Sequence, residues 1–191
     1  MGKIVVTEFV SLDGIMQAPG GGEDYQHAGW TFEISRGEEG DKFKADELKA
    51  ADAQLLGRIT YEGFAKAWPS MAHDWFGEKM NDMPKYVVST TLTAEDANWN
   101  NSTVISEDIP GQVARLKEQV AGDILVHGSA QLVQSLLEHD LVDELRLMVF
   151  PVILGSGKPL FGATSDKKRL ALTDSKTVGD GISILTFERA A

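Results

Sequence analysis

The chain is expected to adopt an α/β fold of three layers, α/β/α, around a mixed, mainly parallel sheet with antiparallel strands at its C-terminal end. Three observations lead there. Short β-rich runs alternate with segments of helical periodicity through the first two thirds, the pattern of a parallel sheet with right-handed crossovers. Two stretches, Ala53–Glu62 and Asp123–Leu132, repeat one order: an apolar run, a glycine, then a helix start. The last third changes to polar and apolar alternation broken by Gly179-Asp180-Gly181, which is antiparallel chemistry.

In chain order, Lys3–Leu12 is rich in β-formers and leads into Ser11-Leu12-Asp13-Gly14, where Asp-Gly supplies a turn. Gln17–Gly40 reads as a long loop, with Pro19, the run Gly20-Gly21-Gly22 and the apolar island Trp30-Thr31-Phe32. Asp41–Ala51 has helical composition with Asp41 at its start, where a carboxylate favours the helix dipole. A buried strand at Ala53–Leu56 precedes a helix beginning near Ile59 and closed by Trp68-Pro69. His73–Asn81 forms a short helix, Lys85–Thr90 a strand ending in hydroxyls, and Thr103–Ser106 another strand. Ile109, Val113, Leu116 and Val120 line one helical face after Pro110. Asp123–His127 is a strand, and Leu132, Val133, Leu136 and Leu137 line the next helix. Glu144–Phe150 extending into Pro151–Leu154, Leu170–Val178 and Ile182–Arg189 are read as antiparallel edge strands.

With 191 residues, 42% of them hydrophobic and 25% charged, residues 1–191 are expected to make one domain. Among its segments no apolar run approaches the roughly 20 residues needed to cross a bilayer, and the N-terminus reads as a strand and not a signal peptide, so a cytoplasmic location without membrane attachment is expected. The chain has no cysteine, which removes disulfides, thiolate metal sites and cysteine nucleophiles. The net charge of −11 argues against nucleic acid as a partner. Four histidines, none at zinc-pair spacing, give no expectation of a metal.

Chemistry is concentrated at the two glycine junctions. Each places free helix N–H groups at the carboxyl end of a strand, an arrangement that holds phosphate. The first adds the Arg58 guanidinium and the Thr60 hydroxyl, which together point to a dinucleotide carrying an extra phosphate. Asp13, Asp41 and Glu47 are candidate general acids, against ordinary roles as a turn residue, a first-turn carboxylate and a solvated helix face. Trp30 and Phe32 are candidates for stacking on a substrate ring, or for plugging a core. His127 precedes Gly128 at a strand end, where it either touches the cofactor or is a structural histidine.

These residues resemble the dihydrofolate reductase fold, and more closely its branch related to the C-terminal pyrimidine reductase domain of riboflavin biosynthesis. The resemblance spans nearly the whole chain and is carried by Ser11–Gly14, Leu56-Gly57-Arg58-Ile59-Thr60-Tyr61-Glu62, Val87-Val88-Ser89, Val126-His127-Gly128-Ser129 and Pro151–Phe161. It implies NADPH bound along the carboxyl edge of the sheet and hydride transfer to a small heterocycle or carbonyl compound, as in dihydrofolate reductase and 5-amino-6-(5-phosphoribosylamino)uracil reductase. By that resemblance Arg58 clamps the 2′-phosphate, Gly57 and Thr60 line the pyrophosphate, Ser89 lies near the adenosine, and His127, Gly128 and Ser129 meet the cofactor at the second helix start. The chain departs from dihydrofolate reductase in lacking Trp-x-x-Pro near Trp30 and in having Gly128-Ser129 for paired glycines. An NADP-binding sensor with little catalysis is the alternative. A homodimer is expected, because the apolar run Met148–Leu154 would otherwise leave an exposed sheet edge.

Overall fold

A computed structural model describes residues 1–190. The strands are β1 (Ile4–Ser11), β2 (Ala51–Gly57), β3 (Lys85–Val88), β4 (Ser102–Ile105), β5 (Asp123–Val126), β6 (Glu144–Phe150), β7 (Leu170–Val178) and β8 (Ile182–Arg189). The helices are α1 (Gly37–Ala50), α2 (Arg58–Ala67), α3 (Trp75–Asp82), α4 (Ile109–Gln119) and α5 (Ala130–Glu138), with 3₁₀ turns at Trp30–Glu33 and Trp68–Met71. All eight strands form one sheet in the order β4-β3-β2-β5-β1-β6-β8-β7. The pairs from β4 through β6 are parallel, and β6–β8 and β8–β7 are antiparallel, so the fold class read from the sequence holds.

Side-chain alternation along β1 sorts the layers. Ile4, Val6 and Val10 face a core made with Val113 and Leu116 of α4 and Leu132, Val133 and Leu136 of α5. Val5 points the other way, to Leu48 of α1, Met80 of α3 and Leu125. Burying each such side chain contributes about 1.5–3 kcal/mol. Because β5 is inserted between β2 and β1, the carboxyl ends of these three strands share one edge, where open α/β sheets leave a crevice for ligands.

Three expectations are corrected. Helix α1 begins at Gly37, four residues before Asp41, so Asp41 lies within the helix, paired with Arg36 at 2.8 Å. The segment Pro151–Leu154 does not continue β6; it leaves the sheet and docks on the turn after β1, Leu12 N–H donating to Val152 O at 2.8 Å. Strand β6 is no edge either: parallel to β1 and antiparallel to β8, it is the interior seam, and Met148 and Phe150 are buried. The edge strands are β4 and, at this end of the sheet, β7, eight of whose nine residues are exposed, Leu170 and Leu172 among them.

Candidate functional site

The two glycine junctions meet. Gly57, in extended conformation, caps α2 without a side chain, and Gly128 (φ 57°) and Ser129 (φ 64°) turn the chain from β5 into α5. Gly57 N–H donates to Ser129 Oγ at 2.9 Å, and the Ser129 hydroxyl in turn donates to Thr60 Oγ1 at 2.9 Å. A Cβ on Gly128 would stand 2.7 Å from Thr60 Oγ1, so this approach needs glycine as much as the positive φ does. Neither helix start has a side-chain cap, which leaves first-turn amides of both helices open beside two hydroxyls. Paired helix starts of this kind form an anion cradle.

Arg58, the first residue of α2, is half-exposed and forks onto Glu62, with Nη1 at 3.1 Å from each carboxylate oxygen. An exposed i,i+4 pair is worth only a few tenths of a kcal/mol, so the guanidinium is held loosely. Ser89 is buried just past β3, and its Oγ accepts from Thr91 N–H (3.1 Å) and Leu92 N–H (2.9 Å), which shapes the turn next to the end of β2.

Polar side chains also line β1 and its neighbours β5 and β6. Glu47, expected as a candidate acid or a solvated face, is buried: it takes the Lys44 ammonium at 2.6 Å and the Thr7 hydroxyl at 3.0 Å, with Arg146 at 3.5 Å. Arg146 also meets Glu144 at 2.6 Å and Asp123 at 3.4 Å. Glu47 is thus the tie between α1 and the sheet. His127 lies beside Phe64 of α2, its Nε2 enclosed without a partner. Burial, with the nearby Lys44 charge, lowers its pKa from 6.5 to about 3, so the ring is neutral at physiological pH. Glu8 is 5% exposed, and one of its carboxylate oxygens has no partner. Burial raises its pKa well above the usual carboxylate value, against smaller opposing effects of the Gly128 amide and Lys44.

The three side chains expected to act on a substrate have different surroundings. Asp13 accepts from Ser11 Oγ (2.6 Å), Gly155 N–H (2.8 Å) and Leu154 N–H (3.1 Å). The Ser11 hydroxyl first, then the Gly155 amide, hold its pKa down to about 2. A carboxylate so committed fastens two loops and holds no proton near neutrality, which corrects its reading as an acid. Trp30 is 3% exposed, stacks edge-on against Phe150 at 5.2 Å and donates Nε1–H to Gln17 O at 2.9 Å, so it is a core residue with no face free for a substrate. Asp41 borders an open hollow of about 410 Å³ with Phe9, Phe32 and Arg36 among its walls. Phe32, unlike Trp30, is exposed. The loop before Trp30 is tied to the Gly155–Lys158 turn, Tyr25 O–H donating to Ser156 O at 2.6 Å and Lys158 N–H to Gln17 Oε1 at 3.1 Å.

Sequence reasoning missed Glu8 and the Lys44–Glu47–Arg146 network. The signal for Glu8 was present: a carboxylate between Val6 and Val10, on the inward face of an otherwise apolar strand. Among the described residues no helix is long and apolar enough to cross a membrane, and no group of three or more His, Asp or Glu side chains is placed to hold a metal.

Comparison with known proteins agrees with this architecture. Residues 2–184 match the family model described as the RibD C-terminal domain. The uncharacterized protein YwjB of Bacillus subtilis (strain 168) is 31% identical over 182 residues, 95% of each chain. A crystal structure of a Shewanella sp. PV-4 protein named for riboflavin biosynthesis superposes with TM-score 0.78 at 23% identity, covering 100% of both chains. Dihydrofolate reductase from Enterococcus faecalis, solved with NADP(H), superposes with TM-score 0.61 at 14% identity over 100% of this chain and 98% of that one. At such identities the structural likeness speaks for the fold, whereas the family match covers almost every residue that builds the sheet and both glycine junctions: the chain belongs to the RibD C-terminal domain family.

Proposed function

We propose that this protein is a single-domain, NADPH-dependent reductase of a small heterocyclic or carbonyl compound. The observation that carries the reading is the contact between the two uncapped helix starts, through Gly57 N–H, Ser129 Oγ and Thr60 Oγ1, at the carboxyl ends of β2 and β5. The residues fit a dinucleotide: open amides and hydroxyls for the pyrophosphate, a space kept clear of any Cβ at Gly128, and a guanidinium at Arg58 for a 2′-phosphate. Ser89 shapes the turn beside the adenosine end, and His127, neutral and enclosed, gives an uncharged wall where the reacting ring would lie. When bound, the cofactor supplies the hydride.

This chain's own residues orient and enclose. Phe9 and Phe32 offer apolar walls to a substrate ring in the hollow, and Asp41, paired with Arg36, stands at its rim. Trp30 supports that wall from behind through Phe150. The membership of the RibD C-terminal domain family and the likeness to a reductase fold support the same reading.

Arg58→Ala tests it. Losing a charged hydrogen-bonding partner costs about 1.5–3 kcal/mol, so the Kd for NADPH should rise on the order of 10- to 100-fold. The Kd for NADH, which lacks the 2′-phosphate, should change little. Fluorescence titration with both dinucleotides checks this, and equal losses would contradict the clamp. Loss of NADPH absorbance against a panel of pterins, pyrimidines and small ketones would identify the substrate, and silence across the panel with intact NADPH binding would favour a sensor.

A further inference from the structure

Two of the buried side-chain atoms without a hydrogen-bond partner, Glu8 Oε1 and His127 Nε2, belong to residues that flank Gly128. Register places them there: Val6 pairs with Val126, so two positions on, Glu8 on β1 comes level with Gly128 after β5. Alternation turns Glu8 toward the α5 side of the sheet with Val6 and Val10, while Thr7 faces α1. The carboxyl therefore lies under the start of α5, against the amide of the glycine that builds the phosphate cradle.

Among the described residues, few titratable or charged groups stand near Glu8. From α1 come Lys44 and Glu47, already joined to each other at 2.6 Å. From the β5–α5 junction come the Gly128 amide, which bears on Glu8, and His127, which is neutral above about pH 3. Among the described residues, the cation that bears on Glu8 is thus one that already pairs with Glu47. An ionised Glu8 would be a buried charge without a cation of its own, set beside the amides that must receive a phosphate.

We propose that Glu8 is a positioning residue for the dinucleotide phosphate: it stands as the neutral acid beneath Gly128, and the cradle accepts the cofactor only in that form. The inference rests on the cofactor reading above. Its physical basis is charge. A neutral carboxyl leaves the Gly128–Ser129 amides to the incoming anion, whereas a carboxylate competes for them and repels the phosphate across a medium that screens poorly. Proton and cofactor therefore bind together, and by linkage the bound cofactor raises the affinity of Glu8 for its proton.

Calorimetric titration of the whole protein with NADPH and with NADH, from mildly acidic to alkaline pH and in two buffers of different ionisation heat, tests this. NADH has no 2′-phosphate, so it carries no titration of that group. For the wild type both affinities should fall about tenfold per pH unit on the alkaline limb, with uptake of one proton on binding. In Glu8→Gln, which is neutral at every pH, the limb and the proton uptake should vanish. An alkaline limb that survives in Glu8→Gln, or a wild type that binds NADPH with pH-independent affinity and no proton uptake, overturns the proposal alone. A wild type that binds neither dinucleotide at any pH overturns the cofactor reading and this inference with it. Should Glu8→Gln fail to fold, proton uptake by the wild type toward NADH still decides.

Discussion

At the scale of single residues, His127 and Glu8 give stability opposite dependences on pH. The folded pKa of His127 is about 3 against an ordinary 6.5, so the unfolded chain takes the proton first. The contribution of the buried neutral ring is full above pH 6.5 and is lost as pH falls below that value. Asp13 acts in the same direction lower down: with its pKa at about 2 against 3.8, the tie to Leu154 and Gly155 weakens as pH falls through that interval. For Glu8 the folded pKa is raised, so its contribution is full below 4.5 and is lost as pH rises through the folded value. His127→Phe should therefore lose less Tm than the wild type between neutral and mildly acidic pH, as thermal melts across that range would show. The pattern of β1 could have flagged Glu8 as inward-facing, but neither charge state was legible in the residue types. A histidine and a glutamate are ordinary polar residues until the sheet encloses them.

At the scale of elements, the strands and helices follow local chemistry closely. Helix α4 starts after Asp108, which accepts from Gly111 N–H, with Pro110 in its first turn, and β7 and β8 flank Gly179-Asp180-Gly181 as the alternation required. Where prediction slipped, a distant partner was responsible. Helix α1 lacks a side-chain cap and begins at Gly37, because Ser35 N–H and Asp180 N–H are exchanged with the β7–β8 turn, the former donating to Asp180 Oδ2 and the latter to Ser35 O. Pro151–Leu154 alternates like a strand, yet Asp13 and Leu12 take up its backbone groups from outside the sheet. The hold on α1 is Glu47, buried between Lys44, Thr7 and Arg146. Glu47→Ala would leave Arg146 and Lys44 without their shared carboxylate, and breaking a buried pair in this way costs about 3–5 kcal/mol. Urea unfolding at neutral pH should show that loss as a lower midpoint, whereas a change of only a few tenths would mean that the helix is held by its apolar face.

At the scale of the whole molecule, the strand order decides where the site is. The junctions at Gly57 and Gly128 are 71 positions apart in the chain, and they touch because β5 enters between β2 and β1. The same order hides the apolar run at Met148 inside the sheet, which makes β7 the edge strand at this end, with Leu170 and Leu172 exposed. We propose that a homodimer forms through that edge. Sedimentation at micromolar concentration should give twice the chain mass, and Leu172→Lys should return a monomer, because a charge on an open strand opposes edge pairing. A wild type that sediments as a monomer would remove the proposal.

The residues alone determined the alternation of strands and helices, the α/β class and the two strand-glycine-helix junctions, because those depend on periodicity and on the few residues to either side of a glycine. Only the tertiary structure decided that the junctions share one cradle, that Trp30 and Glu47 are interior, that Asp13 fastens loops and that Glu8 is enclosed beside Gly128. Burial and pairing are set by groups far apart in the chain, and the charge state of a carboxyl is fixed by its surroundings.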